Sequence, residues 1–193
     1  MNRQSCANLL AEIAQEVQSC AKCPLAQGRT LAVPGEGPLD ARIMLIGEGP
    51  GFQEDQQGRP FVGPAGELLN RLLGLAGLRR EQVFITNIVK CRPPNNREPL
   101  PEEVAQCRDF LNGQIALVNP KVICTLGRPA MHTLVDATAS ITREHGKPRR
   151  VDGILCVPLY HPAAALHRQD LGPQLEADML KLKTILEQAL GQA

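Results

Sequence analysis

Tryptophan is missing from this 193-residue sequence, tyrosine occurs once and phenylalanine four times. No reading can therefore rest on an aromatic stripe, and Phe52, Phe61, Phe84, Phe110 and Tyr160 must each be judged singly. Long apolar runs are missing too. Stretches such as IMLI at 43–46 fall far short of the roughly 20 residues a membrane helix needs, so no membrane partner is expected. Neither sign of charge dominates: 21 Lys and Arg against 20 Asp and Glu leave a formal +1, so any polyanion must be held by a local patch. The first helix-like segment, Ser5 to Ser19, carries Glu12 and Glu16 and lacks the apolar centre of a secretory signal; a cytoplasmic location is expected. With 43% hydrophobic and 21% charged residues the chain has material for a real core, and its length suits one domain over residues 1–193.

What is present in excess is cysteine. Seven is many for a cytosolic chain of this size, and an odd total excludes a scheme in which every thiol is paired internally. Cys20 and Cys23 form a C-x2-C pair at a predicted helix end, Cys91 follows a predicted strand, and Cys107 lies on the next helix. Thiolates at such positions suit zinc and iron-sulfur clusters alike. A structural zinc site usually adds a second tight pair, which is missing here, and that favours a cluster. Cys124 and Cys156 fall inside apolar strands and read as core; Cys6 is uninformative.

The order of elements follows from periodicity and punctuation. Ser5 is a candidate cap for a helix with Leu9, Leu10, Ile13 and Val17 on one stripe, ending near Cys20. Apolar runs at Ile43–Ile46, Val83–Val89, Val122–Leu126 and Ile154–Leu159 read as buried strands. Between them, Pro64, Pro101 and Pro129 open helices, and Pro173 opens a last one. Alternating strands and helices predict an α/β fold: a three-layer αβα sandwich around a mostly parallel four-stranded sheet. In such sheets the ligand crevice lies outside the carboxyl ends of the strands. That rule selects Gly47–Gly51, Thr86–Arg92, Gly127-Arg128 and Tyr160–Ala165. The basic stretch Arg143–Arg150 is expected to be a surface loop.

The selected places hold the most distinctive residues. GEGPG at 47–51 lacks both the GK[ST] ending of a phosphate loop and full GxGxxG spacing, but its glycines permit a tight turn with N–H groups facing a ligand, and Glu48 sets a carboxylate at the mouth. Asn87 ends the second strand with an amide able to read a planar amide edge. His161 ends the fourth, held in extended geometry by Pro162. Taken singly, each of these has an ordinary structural explanation; their joint placement around one crevice is what points to a site.

With GEGPG, ED at 54–55, GRPFVGPAGELL at 58–69, TNIVKCRPPNNREP at 86–99, Cys107 and HPAAA at 161–165 in this order, the sequence resembles the family 4, iron-sulfur uracil-DNA glycosylases from Cys20 to about Leu166. The resemblance implies a DNA-repair hydrolase that flips uracil out of single- or double-stranded DNA and cleaves its N-glycosidic bond. It implies a 4Fe-4S cluster on Cys20, Cys23, Cys91 and Cys107, uracil stacked on Phe61, its polar edge read by Asn87, and the Gly47-Glu48-Gly49 backbone on the opposite side. His161 is the expected donor to the departing base, and Glu48 is expected to orient water or offset charge on the sugar. Gly49 stands where better-known uracil glycosylases carry a catalytic aspartate, and Gly51 where they carry a thymine-blocking tyrosine. Position 165, where a bulky wedge is expected, is Ala, which leaves Leu166 as a substitute. Arg128 and the 143–150 stretch are expected to meet phosphates, and the enzyme is expected to act as a monomer.

Three rivals stand beside this reading. A redox module explains the cysteines but leaves GEGPG, Asn87 and HPAAA idle. A nonenzymatic DNA-binding protein should not distinguish uracil DNA from undamaged DNA. The cross-linking branch of the same superfamily uses a loop histidine, and RPPNNREPLP after Cys91 contains none.

Overall fold

In the computed structural model, which describes residues 2–191, helices cover both faces of a five-stranded sheet. The chain runs α1 (Arg3–Ser19), α2 (Leu25–Gly28), β1 (Ile43–Gly47), α3 (Phe52–Gln57), α4 (Pro64–Leu75), β2 (Phe84–Asn87) and α5 (Pro101–Val118). It continues through β3 (Val122–Leu126), α6 (Arg128–Leu134), α7 (Ile141–Glu144), β4 (Arg149–Val151), β5 (Ile154–Leu159), α8 (Pro162–His167) and α9 (Leu171–Gly191). Strand order is β2-β1-β3-β5-β4, with all pairings parallel except β4 against β5. The fifth strand corrects the expected count of four. It arises inside the stretch read as a surface loop, where Arg149 and Arg150 pair with Cys156 and Leu155. A strand with only one apolar residue in RRV carries no hydrophobic run to betray it.

The two faces are sorted by the period of two along each strand. In β1, Ile43 and Leu45 pack with Leu69, Leu73, Leu175 and Met179 of α4 and α9, whereas Met44 and Ile46 pack with Leu111 and Val118 of α5 and Ala130 of α6. Cys124 and Cys156 are buried on opposite faces, one in each of these clusters, as ordinary core residues. Helix boundaries follow local chemistry. Pro64 and Pro101 occupy first turns, and Gly77 takes a left-handed φ of 74° just past α4. The cap of α1 is Asn2 rather than Ser5: its side chain accepts from the Ser5 N–H at 2.8 Å.

β4 forms one edge of the sheet, and the other, β2, is paired by an isolated bridge between Glu36 and Ile85. Gly37 makes that close approach possible, since a Cβ there would sit 2.4 Å from the Val83 carbonyl oxygen. Among the described residues no helix is long and apolar enough to cross a membrane.

Candidate active site

The carboxyl ends of β1, β2 and β5 converge on a hollow of about 250 Å³ whose lining includes Glu48, Gly49, Phe61, Asn87, Pro93 and His161. Gly47 sits directly against two of these residues: a Cβ built there would lie 2.5 Å from Asn87 Oδ1 and 2.7 Å from Phe61 Cζ. The structure thus brings together six residues picked from the sequence, Gly47, Glu48, Gly49, Phe61, Asn87 and His161.

Phe61 is held in an unusual conformation. Its φ is 50°, a region that costs a non-glycine residue about 1–3 kcal/mol unless its surroundings enforce it. Here they do. Arg80 Nη1 donates to the Phe61 carbonyl at 3.0 Å, and Arg80 is itself paired with Glu36 at 2.7 Å. Burial alone would raise the Glu36 pKa, but bonds from Arg59 and Arg80 bring it below the ordinary value. Gly66 leaves room for the turn, because a Cβ there would overlap the Phe61 carbonyl. Glu54 ties this loop to the Gly-rich turn: Oε1 accepts from the Val62 and Gly63 N–H groups at 2.9 and 3.0 Å, and Oε2 from the Gly51 N–H at 3.1 Å. A side chain at 51 would start 2.8 Å from Glu54 Oε2, so the glycine there belongs to this clamp.

Asn87 is buried, and its Oδ1 has no hydrogen-bond partner. An orphaned buried acceptor costs about 1–3 kcal/mol, which a ligand with a donor at that point would recover. Beneath it lies Lys90, which the sequence reading passed over. Its ammonium is fully buried and donates to the Asn87 carbonyl at 2.9 Å, Thr86 Oγ1 at 2.6 Å and Gln114 Oε1 at 2.7 Å. Burial lowers its pKa to about 7.

His161 caps α8, its Nδ1 accepting from the Ala163 N–H at 3.1 Å. With Nδ1 used as an acceptor, the neutral ring carries its proton on Nε2. Burial pushes the His161 pKa down to about 4, so the ring is neutral at pH 7. It stacks on Phe61 with centroids 5.5 Å apart and planes 29° apart. Glu48 moves the other way, up to about 7, through burial and then the nearby Glu98 carboxylate, opposed by Arg128.

The predicted DNA contacts spread around the rim. Arg128 opens α6 half-exposed and is paired with Glu98 at 2.5 Å. Ala165 packs against the core, whereas Leu166 projects into solvent. Arg149 and Arg150 pair alongside the amino half of β5, away from the strand end that bears His161, and Arg149 is engaged by Asp136 and Glu144. Those two arginines are therefore not at the pocket rim.

Cys91 and Cys107 are buried in a third apolar cluster, with Cys20 and Cys23 packed against it. Among the described residues no group of three or more Cys, His, Asp or Glu is disposed to hold a single metal ion. The donor set nevertheless suits a thiolate-bound centre, for Arg29 Nη1 is aimed at Cys91 Sγ at 3.0 Å. Burial pushes the Cys107 thiol up to about 11 and raises that of Cys91 against the pull of Arg29.

Residues 34–183 match the Uracil DNA glycosylase superfamily. A type-4 uracil-DNA glycosylase of Sulfurisphaera tokodaii is 47% identical over 91% of this chain and 84% of its own. Those of Thermotoga maritima and Archaeoglobus fulgidus are 49% identical over 83% of this chain and 85% of theirs, and 45% over 90% and 91%. The chain belongs to the uracil-DNA glycosylase superfamily and, within it, to the type-4 enzymes.

Proposed function

We propose that this chain removes uracil from DNA by hydrolysing its N-glycosidic bond, leaving an abasic site for base excision repair. The observation that carries the reading is the buried, unpartnered Asn87 Oδ1 inside a hollow walled by Phe61 and His161. Uracil lies inside the duplex stack and must be extruded to be reached, at a cost of a few kcal/mol. Once extruded it stacks on Phe61, its N3–H satisfies Asn87 Oδ1, and the Asn87 amide N–H meets O4. Cytosine presents the reverse pattern, an acceptor at N3 and donors at N4, and would leave buried polar groups unpaired. Selectivity follows from that mismatch.

Bond cleavage places negative charge on the departing uracil and positive charge on the sugar. His161, neutral at pH 7 with Nδ1 engaged by α8, donates from Nε2 to the uracil oxygen that gains charge. That bond strengthens in the transition state, so it accelerates the reaction rather than merely binding substrate. Glu48, as carboxylate, offsets the sugar charge and orients water; with its pKa near 7 it is partly ionised at neutral pH. Cys20, Cys23, Cys91 and Cys107 would hold the 4Fe-4S cluster, which supplies a cross-link between the N-terminal segment and the elements following β2. Arg128 and Leu166 serve the DNA, one toward phosphate and the other as a wedge into the gap left by the flipped base.

Incubation with a uracil-containing oligonucleotide tests the reading. Free uracil and an alkali-labile abasic site are expected, with none from the matched cytosine oligonucleotide. Absence of product at every salt concentration would refute it.

A further inference from the structure

Of the five aromatic residues, Phe61, Phe84, Phe110 and Tyr160 are buried, and Phe52 alone is exposed, with 52% of its surface in solvent. It stands immediately after Gly51, which lines the pocket, at the first position of α3. The Arg92 guanidinium lies over its ring, 5.2 Å from the centroid. Arg92 is held there by donating from Nε to Asn96 Oδ1 at 2.7 Å, and its neighbour Pro93 and Asn96 itself both line the pocket. Among the described residues Arg92 makes no ion pair, so its charge is not neutralised by a carboxylate. The result is an exposed aromatic ring backed on one face by a planar cation, at the mouth of the hollow that receives the base. Neither belongs to the uracil-holding machinery.

We propose that Phe52 and Arg92 form a stacking shelf for the nucleobase adjacent to the extruded uracil on the same strand. Extruding one nucleotide parts its neighbours from their stacking partner, and an aromatic ring with an arginine plane is the pair of surfaces on which proteins seat unpaired bases regardless of sequence. The pocket interior reads uracil; the shelf reads only that a base comes next. Its contribution is greatest on single-stranded DNA, where no opposite strand holds the neighbour in place. This rests on the uracil-excision reading above.

The test uses the full chain and single-stranded oligonucleotides with one uracil. One set has normal flanking bases, and two others carry a tetrahydrofuran abasic analogue immediately 5′ or 3′ of the uracil. Phe52→Ala should raise KM about tenfold or more on the normal substrate, with the loss in KM and not in kcat, and Phe52→Tyr should restore it. On one of the two flank-modified substrates the wild type should fall to the level of Phe52→Ala, and the substitution should then have no further effect. An unchanged KM for Phe52→Ala, or an equal loss on all three substrates, would overturn the shelf while leaving uracil excision intact. A wild-type protein that excises nothing would instead refute the excision reading beneath it.

Discussion

The glycine packed against Asn87 and Phe61 offers the sharpest structural prediction. Gly47 has an ordinary backbone conformation, so alanine there strains nothing locally; the penalty comes from what its methyl would meet. The Cβ would stand 2.5 Å from Asn87 Oδ1 and 2.7 Å from Phe61 Cζ, both under the 3.0 Å that real Cβ contacts respect and well short of the 3.4 Å at which ordinary contact begins. Relieving the first contact alone requires the Asn87 amide to retreat by about 0.9 Å, and displacements of about 1 Å in an active site cost about 100-fold in rate. Lys90 pins the Asn87 backbone and Arg80 the Phe61 backbone, so neither wall can move away as a unit. Gly47→Ala should therefore lower kcat/KM for uracil release by about 100-fold, or ~2.7 kcal/mol of transition-state binding. Overpacking should cost only about 1–3 kcal/mol of stability, leaving the protein folded by circular dichroism. Gly74→Ala is the control: its Cβ meets nothing within 4 Å, and a helical alanine should leave activity unchanged. Uracil release by folded Gly47→Ala within threefold of wild type would refute the idea that Phe61 and Asn87 clasp the base.

His161→Ala should reduce kcat by about 100- to 1000-fold with little change in DNA affinity, as measured by single-turnover kinetics and fluorescence anisotropy; equal losses in both would contradict its role as transition-state donor. For Glu48, whose working form is the carboxylate, the wild-type rate should climb as pH rises toward about 7 and then level, and Glu48→Gln should be slower with that limb gone. The same raised pKa makes the protonated form the favoured one in the folded state. Its stabilising contribution is therefore full below the ordinary 4.5 and lost as pH rises to about 7, which denaturant titration of wild type against Glu48→Gln would detect. Cys91→Ala should lower bound iron and melting temperature together; an unchanged iron content would remove Cys91 from the ligand set.

Much of this was legible in the sequence because the relevant signals are local. Apolar runs such as Ile43–Ile46 and Val122–Leu126, punctuated by Gly and Pro, announce buried parallel strands, and the rule of strand ends then selects Gly47–Gly49, Asn87 and His161 without any structure. β4 escaped because an edge strand paired on one side needs no hydrophobic run, and α8 because its six residues are too few to display a period. The supports of the site escaped for a different reason. Glu36 meets Arg80 across 44 residues, and Lys90, in the loop after β2, meets Gln114 of α5 across 24, so neither pairing leaves a mark in local pattern. A lysine also reads by default as solvated, and only the ring of oxygens from Thr86, Asn87 and Gln114 makes its burial tolerable. Glu54 did leave a trace, as a carboxylate three residues past the residue preceding a short helix, the spacing at which a side chain turns back to the helix start.

The most direct test of the central claim is a crystal structure of the protein soaked with free uracil. The ring should lie against Phe61, with N3–H at Asn87 Oδ1 and a carbonyl oxygen at His161 Nε2. A uracil bound elsewhere, or one that enters the hollow and leaves Asn87 Oδ1 unpaired, would contradict the account.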